Sequence, residues 1–466
     1  GTMWRALVTI LLVAAALALD NGIARTPPMG WSSWNTFGCN VSEALIKEVV
    51  DSVVKLGLRD VGYEYINIDD CWFRCSNVSL AGEICYSSED GRDAAGNLVA
   101  DPIRFPNGMK ALADYVHSQG LKFGLYLSSG PLTCSEFVGT WQHEAQDAAS
   151  LAAWDVDYVK LDCCHTTKAM KDIAYPALMA GLNRTGRPIV YSCDTDELFA
   201  HTFEWIQSHE KPFDWAPPDC NLWRTGPDIK DHWDHVRHNA NLNDRWWDLT
   251  HDADYAGPGA WNDPDMLVVG MGGQTTEQYR THMSLWAVMA SPLIMGHDVR
   301  KTDAATLSLL ANNEVLAVNQ DALGKQGRRV HIGLALDEIW VRPLASGDFA
   351  VVLHNPSSPL ALRICVSSTH LDPTLTSARP TRSHVGVTPC HTLASLYHTP
   401  HTMSHVGVTL SHLTPCHTLS STTSRQQAKL RVRDIWSRKD LGVHTDKFCV
   451  DKVARYESRM VRVGRE

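Results

Sequence analysis

The sequence carries little that would suit a polyanion or a lipid bilayer. Its 42 Lys and Arg residues are outnumbered by 52 Asp and Glu, giving a net charge of −10. That balance leaves no cationic footprint for nucleic acid. After Leu19 no apolar run is long enough to cross a membrane. The adjacent Cys163 and Cys164 are followed by no matching metal-ligand spacing.

What the chain does have is an export signature. Arg5 precedes an apolar run from Ala6 to Leu19, and Ala16-Leu17-Ala18 supplies small residues for cleavage. Residues 1–18 therefore read as a secretory signal peptide. Thirteen cysteines agree with an oxidising compartment, and the odd count leaves a thiol unpaired in a monomer. Asn40, Asn77 and Asn183 each begin an acceptor sequon for glycosylation. Sixteen tryptophans suit both core packing and stacking on sugar rings.

The chain is long enough for more than one domain. From Gly30 to about Ala322 short apolar runs alternate with helical patterns. Strand-like runs lie at Tyr63 to Asp69, Leu121 to Tyr126, Val156 to Leu161 and Pro188 to Ser192. Helix-like segments lie at Glu43 to Leu56, Met109 to Gln119, His143 to Trp154, Asp228 to Ala240 and Thr276 to Ala290. This alternation predicts parallel βαβ units, and residues 19–322 suit an α/β fold of the (β/α)8 TIM-barrel type. From about Leu323 short strands follow one another without helices, at Val330 to Leu334, Glu338 to Pro343 and Phe349 to His354. Residues 323–466 thus read as a C-terminal antiparallel β-sandwich. Residues 372–425 interrupt it with Ser-, Thr-, His- and Pro-rich repeats, and read as an unstructured insertion. At Leu430 to Trp436 a strand-like pattern resumes.

The chemistry lies in carboxylates at predicted strand ends, where barrel enzymes place their active sites. Asp69 and Asp70 close the second strand, Asp162 the fourth, and Asp263 and Asp265 lie in Trp261-Asn-Asp-Pro-Asp-Met266. A lone Asp there is usually a cap or turn residue. Five at successive strand ends, with aromatics beside them, point to glycoside hydrolysis, which needs one carboxyl to attack and another to protonate.

Six strings in order resemble the retaining α-galactosidase and α-N-acetylgalactosaminidase (melibiase-type) family. They are Thr26 to Trp34, Gly62 to Trp72, Asp101 to Gly108, Lys160-Leu-Asp-Cys-Cys164, Trp261 to Met266 and Asn319 to Gln326. The resemblance implies Asp162 as nucleophile and Asp228, near a helix start, as acid/base. It implies that Asp69 and Asp70 read the 4- and 6-hydroxyls of galactose, that Lys160 contacts the 3,4-hydroxyls and Arg224 the 2-hydroxyl. Trp34, Tyr126, Asp265 and Met266 match pocket positions. Cys39 with Cys71, Cys134 with Cys164, and Cys193 with Cys220 match the family's bridges, and Cys75 with Cys85 would add a local one. No metal or organic cofactor is implied. The partners are an α-galactoside oligosaccharide, polysaccharide or glycolipid, and a second copy of the chain, since dimers are common in the family. Extracellular space, vacuole and lysosome all fit.

Two departures stand out. Asp194, in Cys193-Asp-Thr-Asp-Glu-Leu198, falls where family galactosidases carry a Glu-Trp pair and acetylgalactosaminidases carry smaller residues. A carboxylate there reaches a 2-hydroxyl but accommodates an acetamide methyl poorly. This favours galactose, with α-N-acetylgalactosaminidase, β-L-arabinopyranosidase or a silent galactose-binding protein as alternatives. Cys163 replaces a small residue beside the nucleophile, and would be strained if that position needs a left-handed backbone.

Overall fold

The computed structural model describes residues 22–77, 85, 86, 88–194, 220–250, 256–371 and 428–466. The segment expected as a leader (1–18), the insertion (372–425) and residues 195–198 of the Asp194 loop lie outside them.

Eight parallel strands form the first body: β1 (Met29–Ser32), β2 (Tyr65–Ile68), β3 (Lys122–Ser128), β4 (Tyr158–Asp162), β5 (Val190–Cys193), β6 (Leu222–Arg224), β7 (Trp261–Asp263) and β8 (Leu293–Met295). Neighbours pair in chain order, and β8 returns to β1. Leu267 closes the ring. Its N–H donates to the Ile294 carbonyl at 2.7 Å, and Gly296 N–H donates back to Leu267 at 2.9 Å. Inward side chains repeat every second residue, as the strand pleat requires. Tyr65, Tyr158, Val190, Leu222 and Trp261 pack as one layer at the barrel's base. Two residues further along come Asn67, Lys160, Ser192, Arg224 and Asp263, and beyond them Asp69, Asp162 and Asp194. Gly124 is required by this filling, because a Cβ there would lie 1.9 Å from Asn67 Oδ1.

Helices cover the outside. Among the described residues they are α1 (Trp34–Phe37), α2 (Glu43–Lys55), α3 (Gly108–Ser118), α4 (Glu144–Ala153), α5 (Lys168–Thr185), α6 (Trp233–Thr250), α7 (Thr276–Val288), α8 (Ala304–Leu310) and α9 (Asn313–Asn319). Helix α2 shows why: Ser42 caps it by accepting from Leu45 N–H, and Ile46, Val49, Val50 and Val53 form one buried stripe. Helix α6 differs from the sequence reading at both ends: it runs from Trp233 to Thr250, where Asp228 to Ala240 was expected, and Asp228 lies on the loop before it, where Ile229 N–H donates to the Asp265 carboxylate. Helix α5 was not foreseen; Pro176 inside it broke the pattern.

The second body is antiparallel. One sheet has the order β14-β13-β16-β11-β10-β9, drawn from β9 (Arg328–Ile332), β10 (Glu338–Pro343), β11 (Phe349–His354), β13 (Lys429–Asp434), β14 (Lys439–Thr445) and β16 (Ser458–Arg465). Against it packs the pair β12 (Leu362–Ser367) and β15 (Lys447–Val453). Val341, Val351, Leu353, Val432 and Val463 of the larger sheet share a core with Ile364, Val366 and Phe448 of the smaller. This body leans on α7, where Trp436 Nε1 donates to Ser284 Oγ at 3.0 Å and Thr281 Oγ1 to the Tyr456 carbonyl at 3.0 Å. Asp446 gathers two distant points of the chain. Its carbonyl accepts from Ser368 N–H at 3.1 Å, and its own N–H donates to Ala428 O at 2.7 Å.

Among the described residues five disulfides are present. Cys39–Cys71, Cys75–Cys85, Cys134–Cys164 and Cys193–Cys220 are those the sequence suggested, and Cys365–Cys449 links β12 to β15 at directly opposed positions. Cys163 is buried and takes part in none of these bridges. It is not among the residues with positive φ, so the strain considered for it does not arise.

Candidate active site

The cleft opens at the C-terminal ends of the barrel strands. Asp69, Lys160, Asp194, Arg224, Asp265 and Met266 line it, with Ser32, Asn67, Tyr158, Ser192 and Asp263 beneath. Two cations organise it. Lys160 Nζ lies 3.2 Å from Asp69 Oδ2 and 3.7 Å from Asp162 Oδ2, above the Tyr126 ring at 5.2 Å. Arg224 holds three carboxylates from successive loops: Asp194 and Asp228 at 3.0 Å each, and Asp265 at 3.4 Å. Burial is the largest single influence and works against both cations, but the surrounding carboxylates together, led by Asp69 for Lys160 and Asp194 for Arg224, outweigh it and hold both well above their ordinary range.

Six carboxylates against two cations leave the cleft short of positive charge. Burial, then the neighbouring Asp194, pushes Asp162 up to about 7, against the pull of Lys160. Burial and Asp265 push Asp263 up to about 7. Asp228 differs. Burial would raise it, but the Arg224 guanidinium holds it below the ordinary carboxylate range. Its side chain is 69% exposed, so solvent screens that pull. Such a cleft is poised to stabilise developing positive charge.

The remaining residues singled out by sequence fall around this centre. Trp34 opens α1 on the first βα loop, half-buried against the core. Tyr126 is buried on β3, with its hydroxyl 3.3 Å from Cys134 Sγ. Asp162 accepts from Cys163 N–H at 2.7 Å, which fixes its rotamer. Asp70 is buried next to Asp69. Its oxygens accept from Cys71 N–H at 2.6 Å and Ser135 N–H at 3.0 Å, so it ties the loop after β2 to the loop after β3. Burial pushes it up to about 6.

The sequence profile of the family described as alpha galactosidase A (Melibiase_2) matches residues 26–321, more than half of the chain. The chain belongs to this family. As a member it is a glycoside hydrolase, and its relatives are close. It is 45% identical over 346 residues to alpha-galactosidase 2 of Arabidopsis thaliana, covering 74% of this chain and 79% of that one. It is 41% identical over 374 residues to the alpha-N-acetylgalactosaminidase of Homo sapiens, covering 77% and 85%. Among solved structures, alpha-galactosidase I of Mortierella vinacea superposes with a TM-score of 0.73 at 28% identity, over 95% of this chain and 98% of that one.

Sequence reasoning passed over the cleft floor. Asn67, Tyr158 and Ser192 were not selected, although each precedes a selected carboxylate or lysine by two residues. The strand period was the signal that would have found them.

Proposed function

We propose that this family member hydrolyses terminal α-linked D-galactose with retention of configuration. Asp162 attacks the anomeric carbon while Asp228 protonates the departing oxygen, and Asp228 then draws a proton from water to release the sugar. The observation carrying this reading is the pairing of the two groups: Asp162 is buried beside Lys160, while Asp228 sits exposed at the rim on Arg224. A nucleophile belongs against the sugar, and an acid/base must also meet water. Asp69 would read the axial 4-hydroxyl, held in place by Lys160. Asp194, held at 3.0 Å by Arg224, would read the 2-hydroxyl. A carboxylate there cannot pair with an acetamide methyl, which favours galactose over N-acetylgalactosamine. The disulfides suit the secretory pathway.

The test is initial rates on the 4-nitrophenyl glycosides of α-galactose, α-N-acetylgalactosamine and β-L-arabinopyranose, with proton NMR of the first sugar released. The α-galactoside is expected to be the best substrate, α-galactose the first product, and Asp162→Asn to lose at least about 10³-fold in kcat. First release of β-galactose, or full activity in Asp162→Asn, would overturn the mechanism.

A further inference from the structure

Asp228 lies on a loop, exposed and outside any helix. An acid/base must nonetheless be held to within a fraction of an ångström of the leaving oxygen. Its own side chain has one anchor, Arg224. The other anchors are on the peptide units either side of it.

On the N-terminal side is Asn239, fully buried on α6. Its amide nitrogen donates to the Pro227 carbonyl at 2.8 Å and to the Pro264 carbonyl at 3.0 Å. Both partners are acceptors, so the nitrogen must be the atom facing them. Both donors are used, while Oδ1 is buried with no partner among the described residues. Leaving that acceptor unmade costs free energy, so an apolar residue would be favoured at this position unless the two donated bonds mattered. Gly226 permits the approach: a Cβ there would lie 3.0 Å from Asn239 Cγ.

On the C-terminal side, Ile229 N–H donates to Asp265 Oδ2 at 2.7 Å. Asp265 has φ of 78°, a conformation disfavoured for any residue but glycine, Asn or Asp. It is kept there from both ends. Asp263 Oδ1 accepts from Asp265 N–H at 2.9 Å, and Trp286 Nε1 donates to Asp265 O at 2.8 Å.

We propose that Asn239 and Asp263 are positioning residues for the acid/base. Asn239 fixes the peptide before Asp228, and Asp263, acting through Asp265, fixes the peptide after it. Both join the loop after β6 to the loop after β7, so the two loops hold Asp228 as one unit. This rests on the reading of Asp228 as acid/base.

The test exploits leaving-group chemistry. A nitrophenolate departs with little protonation, whereas a methyl galactoside needs the proton. kcat/KM, which reports the glycosylation step, is measured on both substrates for wild type, Asp228→Ala, Asn239→Ala, Asp263→Ala and Asp263→Asn. Asn239→Ala and Asp263→Ala are expected to lose about 100-fold on the methyl galactoside and less than about 10-fold on the nitrophenyl one. Asp263→Asn, which keeps the accepting oxygen, is expected to recover most of the difference. If Asp228→Ala shows the selective loss but the other alanine variants lose equally on both substrates, Asn239 and Asp263 are merely structural and the proposal falls. If Asp228→Ala itself shows no selectivity, the acid/base reading fails and the proposal with it. Should Asn239→Ala not fold, Asp263→Ala and its Asn rescue decide.

Discussion

Neighbours drive Asp162 and Asp228 in opposite directions. Burial and Asp194 lift Asp162 to about 7, and Arg224 holds Asp228 below the usual range. Catalysis needs the reverse occupancy, with Asp162 ionised and Asp228 protonated. In the singly protonated pair the proton therefore rests mainly on Asp162, and the productive form is the minor tautomer. Both tautomers vanish together when the last proton leaves, so kcat/KM is expected to fall above about pH 7, as the upper of the two pKa values dictates. Asp194→Asn removes a negative charge beside Asp162 and lowers its pKa. The alkaline limb of a kcat/KM profile should then move to lower pH. A limb unmoved by that substitution would mean that another group sets it.

Helix α7 joins the two bodies, and it carries a histidine with an unusual environment. His282 is fully buried, its ring 4.1 Å from that of Trp286, and neither nitrogen has a hydrogen-bond partner among the described residues. Burial pushes its pKa down to about 3. An unfolded histidine titrates near about 6.5, so between these values the unfolded chain binds the extra proton. The stability His282 contributes is complete above the unfolded value and is lost as pH falls toward the folded one. Melting temperatures of His282→Leu, followed by calorimetry from about pH 7 to about pH 4, should decline less steeply than those of the wild type. Parallel curves would exclude His282 as a source of acid lability.

Legibility at this scale followed the strength of the local signal. Strands β10 and β11 were readable to the residue, because each centres on a run of apolar and β-branched residues, Ile339 to Val341 and Phe349 to Leu353, with turn residues on either side. Helix α5 was not, because Pro176 sits inside it and Thr167, its N-cap, looks like any loop threonine. The Cys365–Cys449 bridge was hidden for another reason. Four cysteines at 365, 390, 416 and 449 permit several pairings, and only the register of β12 against β15 places the first opposite the last. The carboxylates of the cleft were legible as strand-end residues. The commitment of Asp70 to two backbone amides, and the roles of Asn239 and Asp263, were not, because they depend on loops distant in sequence meeting in space.

On the scale of the whole molecule, every proposed site residue belongs to the barrel, while the sandwich braces α7 from outside. Replacing residues 372–427 by a short Gly-Ser linker is expected to leave kcat/KM on the nitrophenyl galactoside unchanged and the protein folded. A collapse of activity or of secreted yield would show that the segment contributes to assembly. The reason for expecting tolerance is Asp446, which bonds both Ser368 and Ala428 and so holds the two ends of that stretch together. With the ends already clamped, added length costs only closure entropy, about 0.6 kcal/mol for each doubling. Asp446 thus makes this point of the chain a port, where an evolving gene, or an engineer fusing a second module, can lodge foreign sequence without the catalytic face registering it.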